Sequence, residues 1–235
     1  MFTRGDFHIH TTASDGYLNP RQVVMFAKSR GIDTIAISDH NSIDGIYEAS
    51  EAGKEFGVSV IPAIELSTRF DDESIHVLGY FKDDRYNSLD FHRILRLVKA
   101  REAYKVTGIL DCYRKHHANK HLSTVDGIFL LKTCGASVVL AHPVRISEKN
   151  LPWLLNMPFD GIEAKYSRST DYQIRSFISV ATEKFSYYTA GSDFHTNEPS
   201  DRKHSLIGEP FLDSTEIQKF LEKSEALVLG NTSDY

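Results

Sequence analysis

The sequence predicts an α/β fold in which the strands close into a barrel and the helices lie outside. Short apolar runs typical of buried strands alternate with stretches of helical periodicity along most of the 235 residues. Polar residues that can bind metals come directly after these runs, as His40 does after 34–38 and His142 does after 137–141. Functional residues of α/β barrels collect at the carboxyl ends of the strands. Both observations favour a closed barrel over an open sheet.

The first part of the chain has the order strand, helix, strand, helix, strand. The opening strand contains His8-Ile9-His10, and Asn19-Pro20 predicts a helix start, with asparagine as N-cap and proline at the first helical position. A second helix is predicted over about 43–56, and the following strand, 58–64, leads to Glu65. Near-continuous apolar strands separated by helices are typical of a parallel sheet.

A hairpin interrupts this alternation. It is predicted around Asp71-Asp72-Glu73 and places His76 on its returning arm. Later strands are predicted over about 137–141, 160–164 and 187–190. A C-terminal helix and a short strand are expected within 213–230, because Asp213 and Glu216 have the spacing of a capping box.

The stretch from about 87 to 135 is predicted to be a helical elaboration on one domain that spans 1–235. Its first part has the i, i+3, i+4, i+7 spacing of an amphipathic helix. A second helix carries Val125, Ile128 and Phe129 on one apolar face. Strands and helices resume after this stretch, which is why a second domain is not expected.

Composition narrows the class of protein. The chain is 41% hydrophobic and 25% charged, as globular proteins are, and its net charge of −5 gives no general attraction to nucleic acid or membranes. No stable duplex nucleic-acid partner is therefore expected, and the oligomeric state is left open. Without an apolar run of spanning length or a signal-sequence pattern, a cytoplasmic protein is predicted. Cys112 and Cys134 are predicted to be reduced, buried thiols.

The segment Asp6–Gly16 contains the first candidate site. Strand geometry places His8 and His10 on one face, and Asp15 follows in a Ser-Asp-Gly turn that can return its carboxylate to the same strand end. A lone His-x-His is more often structural, so the interpretation depends on whether other ligands converge there. The later apolar runs supply such residues in the order His40, Glu65, His76, His142, Asp193 and His195.

Taken together, these motifs resemble the polymerase and histidinol phosphatase (PHP) family of metal-dependent phosphoesterases. The resemblance runs from about residue 5 to 210. The matching motifs are His-Ile-His with Thr-Ala-Ser-Asp-Gly at 8–16, Ser-Asp-His-Asn at 38–41, Glu65, His76 in His-Val-Leu-Gly-Tyr, Ala-His-Pro at 141–143 and Gly-Ser-Asp-Phe-His at 191–195. Each motif alone is common, and their order along the chain is what is specific. The resemblance implies a distorted (β/α)7 TIM-like barrel.

The resemblance also implies two or three divalent metal ions. One would be held by His8, His10, Glu65 and Asp193, a second by Glu65, His76 and His142, and a third by Asp15, His40 and His195. Imidazoles and carboxylates without thiolates suit Zn²⁺, Mn²⁺ or Fe²⁺. Many relatives have histidine where Asp15 stands, so this oxygen ligand admits Mg²⁺ and leaves the metal count open.

This ligand set predicts the hydrolysis of phosphate esters. Two cations close together lower the pKa of a water enough to supply hydroxide near neutral pH, and they neutralise charge on the phosphoryl oxygens. The candidate catalytic residues are Glu65, Asp193 and His195, of which Asp193 or His195 is a possible proton donor to the leaving alcohol. The candidate phosphate-binding residues are Arg145, Lys165 and Arg168.

Other polar and aromatic residues are predicted to have structural or surface roles. Asp39 precedes His40 on a strand and is expected to face away from it and to support the ligands. Surface positions are predicted for His92, His116, His117, His121 and His204, and packing roles for Tyr80, Tyr166 and Phe194.

The predicted function is that of a nucleotide phosphatase or a 5′-3′ exonuclease-type phosphoesterase acting on short oligonucleotides. The alternatives are a histidinol-phosphate phosphatase of the same fold and, in another class, a non-catalytic metal-binding module. His76 and His142 lie only 66 positions apart. Nucleotide-acting relatives often have a larger insertion there that covers the site, so a more open site is predicted here.

Overall fold

One eight-stranded sheet forms the barrel in the computed structural model, which describes residues 2–108, 120–198 and 204–230. The strands are β1 (Arg4–Ile9), β2 (Thr34–Ile37), β3 (Ser59–Phe70), β4 (Glu73–Phe81), β5 (Ala136–Leu140), β6 (Gly161–Tyr166), β7 (Tyr187–Gly191) and β8 (Leu212–Asp213). Strands β1 to β7 are neighbours in chain order, and β8 adds to the free edge of β1.

Backbone hydrogen bonds join β1 to the segment after β7. The amide of Asp193 donates to the carbonyl of His8 at 3.0 Å, and that of His10 donates to the carbonyl of Phe194 at 2.9 Å. The sheet is therefore nearly closed, and the predicted barrel is confirmed. Pairing is parallel except around β4, which is antiparallel to both β3 and β5, and at β8.

Seven helices surround the described part of this sheet. They are α1 (Pro20–Ser29), α2 (Ile46–Phe56), α3 (Leu89–Lys99), α4 (Thr124–Thr133), α5 (Leu151–Leu154), α6 (Asp171–Lys184) and α7 (Ser214–Ser224). The predicted caps are confirmed at α1 and α7, where Asn19 and Asp213 accept from backbone amides of the first turn. None of the described helices is long and apolar enough to cross a membrane.

Two clusters of buried apolar side chains stabilise the barrel. One lies between the strands and the outer helices, and the other contains Phe7, Tyr80 and Tyr187 together with Phe220 of α7. The rings of Phe7 and Phe220 are 4.7 Å apart. Apolar burial of this kind contributes about 25 cal/mol per Å² of apolar surface removed from water, and it stabilises the barrel that carries the site.

The register of β1 against β2 shifts by one residue between Asp6 and Ile9. As a result, two adjacent side chains, those of Phe7 and His8, both reach interior groups, Phe7 the apolar cluster and His8 the carboxylate of Glu65. Bulges of this type re-aim side chains near functional sites.

The position of Glu65 differs from the prediction. It does not end a strand, because β3 continues to Phe70 and pairs with β4 from Ala63 onward. The ladder with β2 ends at Pro62, but an isolated parallel bridge joins Glu65 to His40, and the amide of Asn41 donates to the Glu65 carbonyl at 3.0 Å. Glu65 therefore lies between the segment that carries His40 and strand β4, from which the side chain of His76 faces it.

The helical elaboration also differs in one respect. α3 and α4 fall within the predicted range, with a 3₁₀ turn at Ala103–Gly108, but the apolar face assigned to α4 is only partly buried. Ile128 is buried, whereas Val125 and Phe129 are 53% and 43% exposed, because α4 packs through Gly127, Leu130 and Leu131 instead. Cys134 is buried and unbridged, and Cys112, His116 and His117 lie outside the described residues.

Candidate metal centre

The carboxylate of Glu65 lies at the centre of a cluster of imidazoles. Its Oε2 atom is 3.0 Å from His40 Nδ1 and 3.2 Å from Nε2 of both His8 and His10. Its Oε1 atom is 2.9 Å from His76 Nδ1 and 3.0 Å from His142 Nε2. The two oxygens of one buried carboxylate thus face two different groups of nitrogen ligands.

Three groups of ligand-type side chains have donor atoms within 4.8 Å of one another, close enough for one ion each. They are His8, His10, Glu65 and Asp193; His10, Asp15, His40 and His195; and His40, Glu65 and His76. The first matches a ligand set implied by the sequence, and the second adds His10 to another. His142 lies beside the third group through its contact with Glu65. The structure therefore brings all nine predicted ligands together.

The side chain of Asp39 fixes the loop that carries Asp15. It accepts hydrogen bonds from the backbone amide and hydroxyl of Thr11, at 2.7 and 2.8 Å, and from the hydroxyl of Ser14, at 2.6 Å. Asp39 is completely buried, whereas the Asp15 side chain is 55% exposed at the mouth of the cluster. Asp39 thus has the supporting position expected for it, facing away from the ligands.

Asp193 and His195 are placed by an unusual backbone after β7. Asp193 has a φ of 54° and His142 has a φ of 28°, in a region that residues with side chains rarely adopt. Strained residues of this kind concentrate at functional sites. His195 Nδ1 donates to the Asp193 carbonyl at 2.8 Å, since a carbonyl only accepts, and Nε2 lies 3.4 Å from Asp15 Oδ1.

Sequence reasoning missed Glu163, which orients two ligands from behind. Its Oε1 atom accepts from His8 Nδ1 at 2.9 Å, and its Oε2 atom accepts from the backbone amide of His142 at 2.7 Å. Gly191 leaves room for this contact, because a Cβ atom there would lie 2.2 Å from both Glu163 Oε1 and His8 Cβ. A glutamate between Ile162 and Ala164 in a predicted strand was the available signal in the sequence.

The charges of the cluster shift its pKa values in opposite directions. Burial would raise the pKa of Glu65, but the imidazoles of His40, His76 and His8 hold it well below its usual range. Burial would lower the pKa of His10, but the carboxylates of Asp193 and Glu65 raise it to about 9. Burial lowers the pKa of His40 to about 4, so His40 is a neutral imidazole at neutral pH.

The buried donor atoms fit divalent metal ions. Nε2 of His8, both ring nitrogens of His10, Nδ1 of His40 and Oε2 of Glu65 have no hydrogen-bond partner among the described residues. Buried polar atoms are normally paired, so a group of nitrogen and oxygen atoms that face one another without such partners is suited to bind a divalent cation. Nitrogen and carboxylate oxygen without sulfur match Zn²⁺, Mn²⁺ or Fe²⁺.

Replacing Glu163 with glutamine is expected to weaken metal binding about 10- to 100-fold, because the amide would no longer fix the ring of His8 as a carboxylate does. Titration of the metal-free protein with Mn²⁺ or Zn²⁺ measures this. Glu183→Gln, at an exposed position on α6, is the matched control. Equal affinities in both variants would contradict a supporting role for Glu163.

The three candidate phosphate-binding residues have different surroundings. Arg145 Nη1 lies 3.5 Å from Asp193 Oδ2 and 3.4 Å from the hydroxyl of Tyr166, which itself donates to Asp193 at 2.9 Å. Lys165 instead forms a 2.6 Å ion pair with Glu216 of α7, and Arg168 is exposed. The structure therefore brings only Arg145 of these three to the edge of the cluster.

His204 does not have the isolated surface position that the sequence predicts. Its ring stacks on that of His195, with centroids 3.9 Å apart, which places His204 beside the segment that follows β7. His121 is exposed and His92 is partly exposed, close to expectation. Tyr80 and Phe194 are fully buried in packing roles, and Tyr166 combines burial with its contact to Asp193.

Comparisons with known proteins agree with this site. The PHP domain family matches residues 6–137. The chain is 25% identical over 248 residues to the 5′-3′ exoribonuclease Rnm of Escherichia coli, covering 81% of this chain and 84% of that protein. It is 26% identical over 247 residues to the 3′,5′-nucleoside bisphosphate phosphatase of Chromobacterium violaceum, covering 81% and 86%.

A solved structure from Bifidobacterium adolescentis, provisionally assigned as a metal-dependent phosphoesterase, has the same fold. It matches with a TM-score of 0.70 at 22% identity and covers 94% of this chain and 96% of that one. The family match spans more than half of the chain. The chain belongs to the PHP domain family and is a metal-dependent phosphoesterase, as its motifs predict.

Proposed function

We propose that this phosphoesterase hydrolyses nucleotides and short oligonucleotides at a centre of two or three divalent metal ions. The observation that supports the centre best is the carboxylate of Glu65, whose two oxygens face separate groups of imidazoles. The names of two relatives, an exoribonuclease and a nucleoside bisphosphate phosphatase, support the substrate class.

The proposed ligands are the nine residues that the structure brings together. His8, His10, Glu65 and Asp193 form the most buried group, while Asp15 places an exposed oxygen at the mouth. When bound, divalent ions would lower the pKa of water and neutralise phosphoryl charge. Because Asp15 is a hard oxygen ligand, we assign Mg²⁺ or Mn²⁺ to its position and Zn²⁺, Mn²⁺ or Fe²⁺ to the buried one.

The residues around the ligands would position the phosphate and move protons. Arg145 presents a guanidinium beside Asp193, where a phosphoryl oxygen can receive its N–H groups. Tyr166 stays protonated, because burial raises its pKa, and its hydroxyl orients Asp193. Burial would raise the pKa of Asp193, but the imidazoles of His8 and His10 hold it well below its usual range, so this carboxylate stays ionised. Of the two candidates, we therefore assign proton donation to the leaving alcohol to His195.

Replacing Arg145 with alanine is expected to raise KM for phosphate substrates about tenfold, since a charge-assisted contact is lost at a half-exposed site. Arg145→Lys keeps the charge and is expected to recover part of the loss. Steady-state kinetics measure both variants. Arg168→Ala, at an exposed position, is the control, and equal KM values for the two alanine variants would contradict the role of Arg145.

The proposed function is tested by metal analysis followed by phosphate or nucleotide release from a panel of substrates. The panel contains nucleoside monophosphates, 3′,5′-bisphosphates, histidinol phosphate and short oligonucleotides, each with Mn²⁺, Zn²⁺ or Fe²⁺. We expect bound metal and hydrolysis of nucleotide substrates. Preference for histidinol phosphate would favour that alternative, and metal binding without hydrolysis would favour the non-catalytic module. Full activity of His8→Ala or Asp193→Ala would contradict the site.

A further inference from the structure

A groove with positive side chains begins beside the metal centre and runs away from it. A cavity of about 300 Å³ is lined by Asn41, Ser67, Lys99 and Arg101, among others. It shares Arg69 and His121 with a larger cavity of about 870 Å³ that also contains Lys120, and it shares Asn41 and Lys99 with a third that contains Arg96. We call the path lined by Arg69, Arg96, Lys99, Arg101, Lys120 and His121 the basic groove; the two larger cavities are also lined by Asp44, Asp71, Asp72 and Asp126.

The basic groove is continuous with the ligands through the β3–β4 hairpin. Alternate residues of a strand share a face, so Ser67 and Arg69 follow Glu65 along the same face of β3. Ser67 is paired with His76 across the hairpin, and Asn41, which follows His40, donates to the hydroxyl of Ser67 at 2.9 Å. Four residues of strand place Arg69 about 13 Å along the chain from Glu65.

The cations of the basic groove have no carboxylate partners within the described ranges. No described carboxylate oxygen lies within 4.0 Å of a nitrogen of Arg69, Arg96, Lys99, Arg101 or Lys120. Many other surface cations are paired, among them Lys132 with Asp160 at 2.8 Å. The pKa of His121 is lowered by burial and by the charges of Arg69, Arg101 and Lys120, which lie around its ring.

Arg101 occupies a backbone position at which glycine is usual. α3 ends in a Schellman arrangement, with the amide of Arg101 bonded to the carbonyl of Val98 and that of Glu102 bonded to the carbonyl of Leu97. The first residue past such a cap has a left-handed conformation, and Arg101 has a φ of 59°. A guanidinium is thus held at the groove at a local conformational cost.

We infer that the basic groove binds the backbone phosphates of a single-stranded oligonucleotide whose reacting phosphate lies at the metal centre. Separate cations spread along a path match a chain of phosphates, whereas a single small anion needs donors that converge on one point. The net charge of −5 gives the protein no general attraction to nucleic acid, so binding would depend on these particular residues. This inference rests on the proposed function, because it names the longer substrate for the same site.

Equilibrium binding tests the inference without catalysis. The probe is a fluorescent eight-nucleotide single strand with a 5′-phosphate, and its anisotropy is measured with the metal-free protein across a range of salt concentrations. Each phosphate contact contributes about −0.7 to the slope of log affinity against log salt. Lys99→Ala and Arg101→Gly are each expected to weaken binding about three- to tenfold and to reduce that slope by about 0.7.

Arg101→Gly separates binding from folding. Glycine suits a positive φ, so this variant is expected to have an unchanged or higher Tm even though it binds the oligonucleotide less tightly. Lys219→Ala, an exposed lysine on α7 away from the groove, is the charge-matched control and is expected to bind like the original protein. Equal affinities and salt slopes for Arg101→Gly, Lys99→Ala and Lys219→Ala would overturn the inference.

Kinetics distinguish failure of the groove from failure of the proposed function. For an active protein, Arg101→Gly is expected to lower the ratio of kcat/KM for the eight-nucleotide strand to that for a 3′,5′-bisphosphate about three- to tenfold. An unchanged ratio would overturn the inference that the groove binds the oligonucleotide, while the proposed function would stand. If no substrate of the panel is hydrolysed, the proposed function fails, and the anisotropy result still decides the groove. Tighter binding of an acidic peptide of equal charge would also overturn it.

Discussion

Replacing Glu65 with glutamine is expected to reduce turnover of every accepted phosphate ester at least about a thousandfold. The amide nitrogen cannot accept a metal, so one of the two oxygens that face separate imidazole groups is lost. The metal content of the purified variant is expected to fall with its activity. Metal analysis by mass spectrometry and steady-state kinetics measure the two effects.

The same substitution is expected to destabilise the metal-free protein by about 3 kcal/mol. Oε2 of Glu65 lies 3.2 Å from Nε2 of both His8 and His10, and removing one partner of a buried charged pair leaves the others uncompensated. Glu73→Gln is the matched control, because Glu73 lies on the same hairpin and, among the described residues, its carboxylate accepts from Ser147 and Asn150. Equal turnover in the two variants would contradict the central role of Glu65.

Metal affinity is expected to increase about tenfold per pH unit for each proton displaced, over the window from about 6.5 to 9. The carboxylates of Asp193 and Glu65 raise the pKa of His10 from 6.5 to about 9 against the effect of burial, and that of His8 is also raised. In the metal-free protein both rings therefore carry a second proton at neutral pH, and each ring must release one proton before its nitrogen can bind a metal. Isothermal titration in two buffers with different ionisation enthalpies counts the protons released.

The stability of the metal-free protein and the additional stability from bound metal change with pH in opposite directions. For His10, the folded pKa lies above the unfolded value, so its stabilisation of the metal-free protein is complete below pH 6.5 and is lost as pH rises to about 9. Stabilisation by bound metal grows over the same window, so the Tm difference between the two forms is expected to widen with pH.

His40 provides a matched control for this pH dependence. Burial and the nearby imidazoles lower its pKa to about 4, so the ring is already neutral in the window. His40→Asn is expected to weaken metal binding while the number of protons released stays the same. Metal binding without proton release in the original protein would contradict the protonated state of His8 and His10.

The supporting residues show how far the sequence could predict the site. Residues such as His8 and His142 can be recognised as candidate metal ligands from their residue type, and their order in the chain was enough to predict a common site. Glu163 and His204 could not be placed in this way, because their contacts depend on how β6 and the loop before β8 fold against β1 and β7. The candidate phosphate-binding residues differ from one another for the same reason. In the folded structure Lys165 forms an ion pair with Glu216, whereas Arg145 lies beside Asp193 at the edge of the metal centre.

By itself, the sequence determined the alternation of strands and helices, the caps at Asn19 and Asp213, and the residue types of a metal centre. These features depend on local periodicity and short-range hydrogen bonds, which neighbouring residues encode. Only the tertiary structure decided that β3 continues past Glu65 and that the shifted register of β1 directs both Phe7 and His8 inward. Pairing partners and registers are set by strands distant in sequence, so the way in which one carboxylate meets five imidazoles emerges only when the barrel closes.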